Sequence, residues 1–179
     1  MQRKLIWAAV AGAAMVAGAG FAGSLSATPS FGFVGTTIAK GRFEDIEVMN
    51  HLVTKGAAGE RPEQSNRQPW FSIQKTKGAS DLYVQNNVWS PGGSTGWHTH
   101  PGHSLIIVTA GTVTGYESDD PDCTPHAYTT GMGFVDPGGD HVHLLRNEGD
   151  VEARTLAVQL VPADAVRRVD GQSPAGCPF

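Results

Sequence analysis

The 179-residue chain has little positive charge and lacks several common catalytic motifs. Its 13 lysine and arginine residues stand against 17 aspartate and glutamate residues, and no basic patch is visible, which argues against nucleic acid as a partner. The sequence contains no GxSxG nucleophile elbow, no phosphate-binding glycine loop and no HExxH zinc motif. Helical periodicity is also scarce after the N-terminus. These absences exclude the simplest serine hydrolase, nucleotide-binding and zincin interpretations.

The N-terminus carries the layout of an export signal. Arg3 and Lys4 precede an apolar run from Leu5 to about Ala19, and small residues follow at 24–27. This pattern predicts a signal peptide over residues 1–27 that is removed, and a secreted, periplasmic or otherwise extracytoplasmic protein. A retained membrane anchor is the alternative, but glycines at 12, 18, 20 and 23 interrupt the apolar stretch and its end, and the run is short for a span. The processed chain, 28–179, would be a single domain with 11 basic and 17 acidic residues and no stable membrane span.

Cysteine is scarce as well, since the chain has only Cys123 and Cys177. In an oxidising compartment an even number of cysteines favours a disulfide. The bond would hold the C-terminal tail against the domain. Because it closes a long loop, the chain-entropy estimate predicts that it stabilises the folded protein by about 4 kcal/mol. Two free thiols are the alternative.

Short alternating segments dominate the rest of the sequence, which is rich in turn residues, with 23 glycines and 11 prolines. Alternation with a period of two is typical of half-buried strands. The candidate strands are Thr36–Lys40, Glu44–Asn50, Trp70–Lys75, Asp81–Trp89, Gly96–His100, Ser104–Ala110, Val113–Glu117, Gly133–Asp136, Val142–Arg146 and Thr155–Val161. About one strand per ten residues predicts an all-β antiparallel sandwich or barrel. Residues 55–69 are expected to form an exposed loop, and Ala163–Val169 a short helical segment.

Six of the seven histidines lie between positions 98 and 143. His98 and His100 are two residues apart, and on a strand such residues project from one face about 7 Å apart. His141 and His143 repeat this spacing on a later predicted strand. Neutral imidazole suits Zn, Fe and Ni, and Mn when oxygen ligands assist. The two pairs therefore predict a divalent metal site, with Fe, Mn, Zn or Ni as candidate ions.

The spacing of these residues resembles the two motifs of the cupin superfamily. In the first motif, Gly92 and five further residues lead to His98-Thr99-His100, three more lead to position 104, and six more lead to Gly111. In the second motif, Gly131 leads to Pro137-Gly138-Gly139, and His143 is followed after three residues by Asn147. The resemblance implies a double-stranded β-helix, or jelly-roll, barrel with a metal site inside it. It also implies a metal bound by His98, His100 and a histidine of the second motif.

The sequence departs from the family pattern in two places. Ser104 stands where the family has a glutamate ligand, and a serine hydroxyl is a poor metal ligand. Three residues instead of two separate Gly139 from His143, so either a bulge absorbs the extra residue or His141 is the third ligand. The spacing to Asn147 favours His143. His103 would serve as a ligand only if the preceding Pro101-Gly102 turn re-aimed its side chain.

Other polar residues are candidates for the pocket. Gln85 and Asn87 share one face of a predicted strand, and Gln159 lies within another. With Ser104 they would line the barrel interior if this face points inward, and would be solvated if it points outward. Asp136 and Asp140 flank Pro137 and are interpreted as turn formers. His126, beside Cys123, is interpreted as a loop residue.

The resemblance and the residues together favour a metal-binding protein that acts on a small molecule, as an oxygenase, isomerase or lyase. Some cupin oxygenases use a three-histidine iron site, so the missing glutamate does not exclude catalysis. The alternative is a non-catalytic cupin that binds a sugar-like small molecule without metal, because loss of a ligand can leave only the pocket. A homodimer is a further expectation from the resemblance.

Overall fold

The computed structural model describes residues 28–52, 70–177 and 179. These residues form strands and turns without a helix, so the described part of the chain is an all-β, antiparallel barrel. None of its elements is a helix long and apolar enough to cross a membrane. The expected signal peptide at 1–27 and the expected loop at 55–69 lie outside the described residues.

Twelve strands are present in the described residues. They are β1 Phe31–Phe43, β2 Glu47–Leu52, β3 Trp70–Lys75, β4 Ser80–Ser94, β5 His98–Thr99, β6 Ser104–Ala110, β7 Thr112–Glu117, β8 His126–Thr129, β9 Gly133–Asp136, β10 His143–Arg146, β11 Ala153–Pro162 and β12 Val169–Asp170. Strands β2 and β3 form a separate hairpin, and the others form one continuous sheet that folds into two layers.

The first layer is built around β4, the longest strand. Strand β1 pairs with one edge of β4 and β11 with the other, and β6 and β9 continue the layer beyond β11. The second layer has the order β12-β5-β10-β7-β8. The pair Ser94↔Arg146 joins the layers, because β4 continues past the first layer to reach β10. The layers enclose the barrel interior between them.

Two elements differ from the sequence prediction. His126 lies on a strand, β8, that pairs with β7, whereas the sequence predicted a loop. Three of the four β8 residues are exposed, so the strand lacks the alternation that would reveal it. Residues 163–168 form a turn and an irregular segment rather than a helix, Val169 begins β12, and Asp164 adopts a left-handed conformation with φ of 61°.

The apolar core consists of two clusters, each centred on a tryptophan. Trp89 packs with Val113, Leu145 and Ala153. The second cluster joins Trp97 to the following buried side chains: Tyr116, Leu144 and Cys177. Because burial of apolar surface is the main favourable contribution to folding, these clusters hold the two layers in register.

The predicted disulfide is confirmed: Cys123 and Cys177 are bonded, with a Cα–Cα distance of 5.4 Å. The tail that the bond fixes packs against the second layer. The indole Nε1–H of Trp97 donates to the carbonyl of Phe179 at 3.2 Å, and the Phe179 ring lies 4.7 Å from that of Tyr116. The last residues therefore cover part of the second cluster.

Asn147, the last residue of the second motif, ties three segments together. Its side-chain Nδ2 lies 2.7 Å from the carbonyl oxygen of Val151 and 3.2 Å from those of Trp89 and Ser90, and its Oδ1 accepts the Gly149 amide. The side chain is buried. It therefore satisfies backbone groups that are shielded from water.

Replacing Asn147 with alanine is expected to lower the free energy of unfolding by about 2 kcal/mol, because buried carbonyl groups lose their donor. Equilibrium urea denaturation monitored by tryptophan fluorescence measures the change. Asn50→Ala, at an exposed position of β2, is the control and is expected to change stability by less than about 0.5 kcal/mol. Equal stability of the two variants would contradict this role for Asn147.

Candidate metal centre

Three histidines converge where β5 and β10 meet. His98 on β5 and His143 on β10 are directly opposite each other in the antiparallel register, and His100 follows β5. The ring of His98 lies 4.8 Å from that of His100 and 4.5 Å from that of His143, centroid to centroid. The His98 and His143 side chains are buried, and His100 is half-buried. His141 and His143 were the two candidates for the third histidine, and it is His143 that lies beside His98 and His100.

Backbone carbonyls orient two of the imidazole rings. The Nδ1 of His98 lies 2.9 Å from the carbonyl oxygen of Gly96, and the Nδ1 of His100 is hydrogen-bonded to that of Arg167. A carbonyl can only accept, so in both rings Nδ1 carries the proton and Nε2 keeps a free lone pair. The Nδ1 of His143 makes a longer contact, 3.5 Å, with the carbonyl oxygen of His141.

Burial keeps these imidazoles neutral. It lowers the pKa of His98 to about 2, with further contributions from His143 and Arg168, because the charged form would be desolvated and close to other cationic groups. It lowers the pKa of His143 to about 4, although the nearby Asp136 acts in the opposite direction. The pKa of His100 is lowered for the same reason. Neutral imidazole is the form that coordinates metal ions.

The three side chains fit a single divalent ion. One ligand nitrogen from each histidine lies within 4.8 Å of the others. Nitrogen ligands lie about 2.0–2.1 Å from a bound zinc ion, so two ligands on one ion are separated by at most about 4.2 Å. The 4.8 Å bound is only slightly above that separation, and the available lone pairs belong to the nitrogen type that such ions prefer. The donor set is therefore suitable for a metal.

The two other histidine candidates lie elsewhere. His141 lies beside Glu117, with 2.9 Å between Nε2 and Oε2, and groups with Asp136 and His143 rather than with the first pair. His103 lines a separate groove of about 560 Å³, away from the three converging rings. Neither of the two groups of metal-ligating side chains in the described residues includes His103.

Two glycines absorb the extra residue of the second motif. Gly138 and Gly139 both have φ of 67°, a left-handed conformation that favours glycine, and a Cβ on Gly138 would lie 2.3 Å from the carbonyl oxygen of Gly102. The Gly139 amide donates to the carbonyl of His100 at 2.7 Å. The expected strand bulge is thus replaced by a turn that leaves His143 opposite His98.

Asp136 is a site residue that the sequence interpretation placed only in a turn. Its Oδ1 does accept the Gly138 amide, as expected of a turn former, but its carboxylate also points toward the histidines. The Oδ2 atom lies 3.6 Å from His100 Nε2, and Oδ1 lies 3.6 Å from His143 Nδ1. The register of β6 and β9 places Asp136 directly opposite Ser104, a relation that sequence spacing does not reveal.

A cavity of about 250 Å³ adjoins the three histidines. The four pocket residues expected from the sequence line it: Gln85, Asn87, Ser104 and Gln159. The polar face of β4 therefore points inward. The Nε2 of Gln85 donates to Asn87 Oδ1 at 2.6 Å, and the Nδ2 of Asn87 donates to Thr155 at 3.1 Å, so these polar groups are satisfied inside the barrel.

Arg167 is the second site residue that sequence reasoning missed. Its Nε donates to Gln159 and its Nη2 to Gln85, at 2.8 and 2.7 Å, and its guanidinium lies 4.0 Å from the ring centre of Tyr83. The only local signal is the pair Arg167-Arg168 in a segment predicted to be helical. Arg167 contributes its guanidinium to the cavity wall and its carbonyl to the orientation of His100.

Comparisons with known proteins give one family match and several similar solved structures. Residues 88–159 match the family described as Cupin domain, and this region contains both histidine motifs. No curated protein sequence matches the chain. Similar solved structures include an oxalate oxidase (22% identity, 46% of each chain covered, TM-score 0.39) and Peruvianin-I, a cysteine peptidase from Thevetia peruviana latex (26%, 51% of this chain and 56% of that one, 0.42).

A third similar structure is a predicted oxalate decarboxylase from Thermotoga maritima (18% identity, 48% of this chain and 83% of that one, TM-score 0.38). The alignments cover less than two thirds of the oxalate oxidase and Peruvianin-I chains. The matched region spans both motifs and lies within the antiparallel barrel, so this part of the chain is similar to the cupin domain family.

Proposed function

We propose that the protein binds one divalent metal ion through His98, His100 and His143 and acts on a small molecule in the adjoining cavity. The observation that carries the proposal is the convergence of three neutral imidazoles, two of which have Nδ1 tied to a carbonyl so that Nε2 is free. When bound, such an ion acts as a Lewis acid that polarises an oxygen of the small molecule or of water.

The chain's own residues would bind and orient the small molecule. The cavity of about 250 Å³ is below the range typical of drug-sized ligands, so it favours a compact substrate. Gln85, Gln159 and Arg167 offer amide and guanidinium groups at its wall. Ile106 and Leu145 contribute apolar surface to its wall.

The reaction class that we propose is that of an oxygenase, isomerase or lyase with iron, manganese, zinc or nickel. Three neutral ligands leave positions on the ion for a substrate oxygen, which each of these reactions requires. The alternative is a non-catalytic, sugar-binding protein without metal, and the polar residues on β4 and β11 are the feature that favours it. Metal binding distinguishes the two.

We also propose an extracytoplasmic location. The Cys123–Cys177 disulfide fits an oxidising compartment, because cytosolic thiols are normally kept reduced. The export-signal pattern of residues 1–27 supports the same location. Together they favour a secreted or periplasmic protein.

Metal content tests the proposed site. Protein made without a histidine tag, loaded with Fe²⁺, Mn²⁺, Zn²⁺ or Ni²⁺ and dialysed, is expected to retain about one ion per chain for at least one of these metals. The double variant His98→Ala/His100→Ala and the variant His143→Ala are expected to retain less than about 0.2 ion per chain, because at most two of the three histidine ligands remain. Mass spectrometry of the metal measures the content.

Two histidines outside the cluster provide matched controls. His103→Ala and His126→Ala are expected to retain the metal content of the unaltered protein. If His143→Ala retained the metal and His141→Ala lost it, the assignment of His143 as the third ligand would be contradicted. A content below about 0.2 ion per chain in the unaltered protein, after loading with all four metals, would overturn the metal proposal in favour of the non-metal alternative.

A further inference from the structure

We propose that Asp136 is the fourth protein ligand of the metal and replaces, from a neighbouring strand, the carboxylate that Ser104 does not provide. This inference rests on the proposed metal function of the three histidines. It assigns the ligand atom to Asp136 Oδ2, which faces His100.

The register of the first layer places Asp136 where it can take over this role. Residues directly opposite each other in an antiparallel pair project to the same face, and Ser104 on β6 is opposite Asp136 on β9. Both side chains are buried, and the Ser104 hydroxyl donates to Asp136 Oδ2 at 3.2 Å. The short serine therefore leaves room for the carboxylate and supports it with a hydrogen bond.

The contact between Asp136 and His100 is suited to a bound cation. His100 Nε2 is the nitrogen with a free lone pair, because Nδ1 is hydrogen-bonded to the Arg167 carbonyl. It lies 3.6 Å from Asp136 Oδ2, so two electron-rich atoms face each other across a gap without a donor between them. This arrangement is unfavourable unless a positive charge lies between the two atoms, and a divalent ion supplies one.

The burial of Asp136 leads to the same conclusion. The residue is 4% exposed, and within the described residues no lysine or arginine forms an ion pair with it. The basic side chains that face it are the imidazoles of His100 and His143, each 3.6 Å from one of its oxygens. A buried carboxylate without a cationic partner is costly, and carboxylates in such places are normally paired or bind metal ions.

A carboxylate ligand also affects which ion is preferred. Three histidines and one carboxylate reduce the net charge of a divalent site from +2 to +1. Carboxylate oxygen suits manganese better than an all-nitrogen set does. We therefore expect that Asp136 matters most for Mn²⁺.

The variant Asp136→Asn tests the inference, because the amide keeps the size of the side chain and an oxygen acceptor for Gly138 but removes the charge. Isothermal titration with Mn²⁺ alone is expected to show at least a tenfold weaker Kd than the unaltered protein, since even supporting groups of a metal site contribute about 10–100-fold. Asp140→Asn, at an exposed position of the same turn, is the matched control and is expected to bind Mn²⁺ normally.

The visible absorption spectrum of bound Co²⁺ distinguishes a ligand from a supporting residue. Loss of a carboxylate ligand changes the bands of Co²⁺, whereas loss of a distant charge leaves them in place. An unchanged Co²⁺ spectrum in Asp136→Asn, at any affinity, would overturn the inference while the three-histidine site stands. Failure of the unaltered protein to bind any of the four metals would overturn the proposed function, and this inference with it.

A reciprocal variant provides a second, independent measurement. Ser104→Glu/Asp136→Asn returns a carboxylate to the site from β6 instead of β9. Recovery of Mn²⁺ affinity in the double variant relative to Asp136→Asn is the expected result and would show that the site requires a carboxylate rather than one particular residue.

Discussion

Replacing both cysteines, in Cys123→Ser/Cys177→Ser, is expected to lower the free energy of unfolding by about 4 kcal/mol. The bond closes a loop with a sequence separation of 54 residues, and without it the unfolded chain regains the conformational freedom that the loop removed. Part of the folded state is lost as well, because the tail contacts of Phe179 with Trp97 and Tyr116 depend on a fixed C-terminus. Equilibrium urea denaturation, monitored by tryptophan fluorescence, measures the difference.

The reduced wild-type protein is the control for the serine variant. In the presence of a reductant that opens the bond, the wild type is expected to approach the stability of the double variant, whereas the variant should not respond. Since neither cysteine lines the cavity beside the converging histidines, a folded double variant is expected to have the same metal content as the unaltered protein. A loss of stability below about 1 kcal/mol would contradict a structural role for the bond.

Truncation of Trp97 is expected to have an effect of similar size on stability. Its side chain has no exposed surface and packs against Tyr116, Leu144 and Cys177, so Trp97→Ala removes a large buried ring and leaves a cavity. Such changes lower the free energy of unfolding by about 3–5 kcal/mol. Urea denaturation monitored by circular dichroism measures the effect, because the variant lacks one fluorescent tryptophan.

Two further variants make this experiment specific. Trp97→Phe retains an aromatic ring and is expected to lose less stability than Trp97→Ala. Phe71→Ala removes an aromatic side chain that is 56% exposed on β3 and is expected to change stability by less than about 0.5 kcal/mol. Equal losses of unfolding free energy in Phe71→Ala and Trp97→Ala would contradict a specific contribution of the packing around Trp97 to stability.

Strands with alternating burial could be predicted from the sequence. The predicted bounds of β6 and β9 are those of the structure, because one face of β6 is buried and the other is exposed. Strand β1 extends over thirteen residues although only Thr36–Lys40 was predicted. Most of its residues are exposed, so its length is fixed by pairing with β4 rather than by a hydrophobic pattern. Long-range pairing of this kind is not visible in local composition.

The same distinction separates the predictable site residues from the others. His98 and His100 are two residues apart in a segment predicted as one strand, so their common direction could be predicted from spacing. Asp136 joins them through the register of β6 and β9, and Arg167 joins them through an irregular segment after β11. Neither relation is periodic in the sequence. The turn role assigned to Asp136 is present, but it describes only one of the two carboxylate oxygens.

Arg167 contacts the three-histidine cluster and lines the cavity wall at the same time. Its backbone carbonyl holds the ring of His100, and its side chain is held by Gln85 and Gln159. A small molecule that competed for these glutamines would release the guanidinium and loosen the same residue that orients His100. Occupancy of the cavity and of the proposed metal site would then be thermodynamically linked, and linkage is reciprocal: each would change the affinity for the other by the same factor.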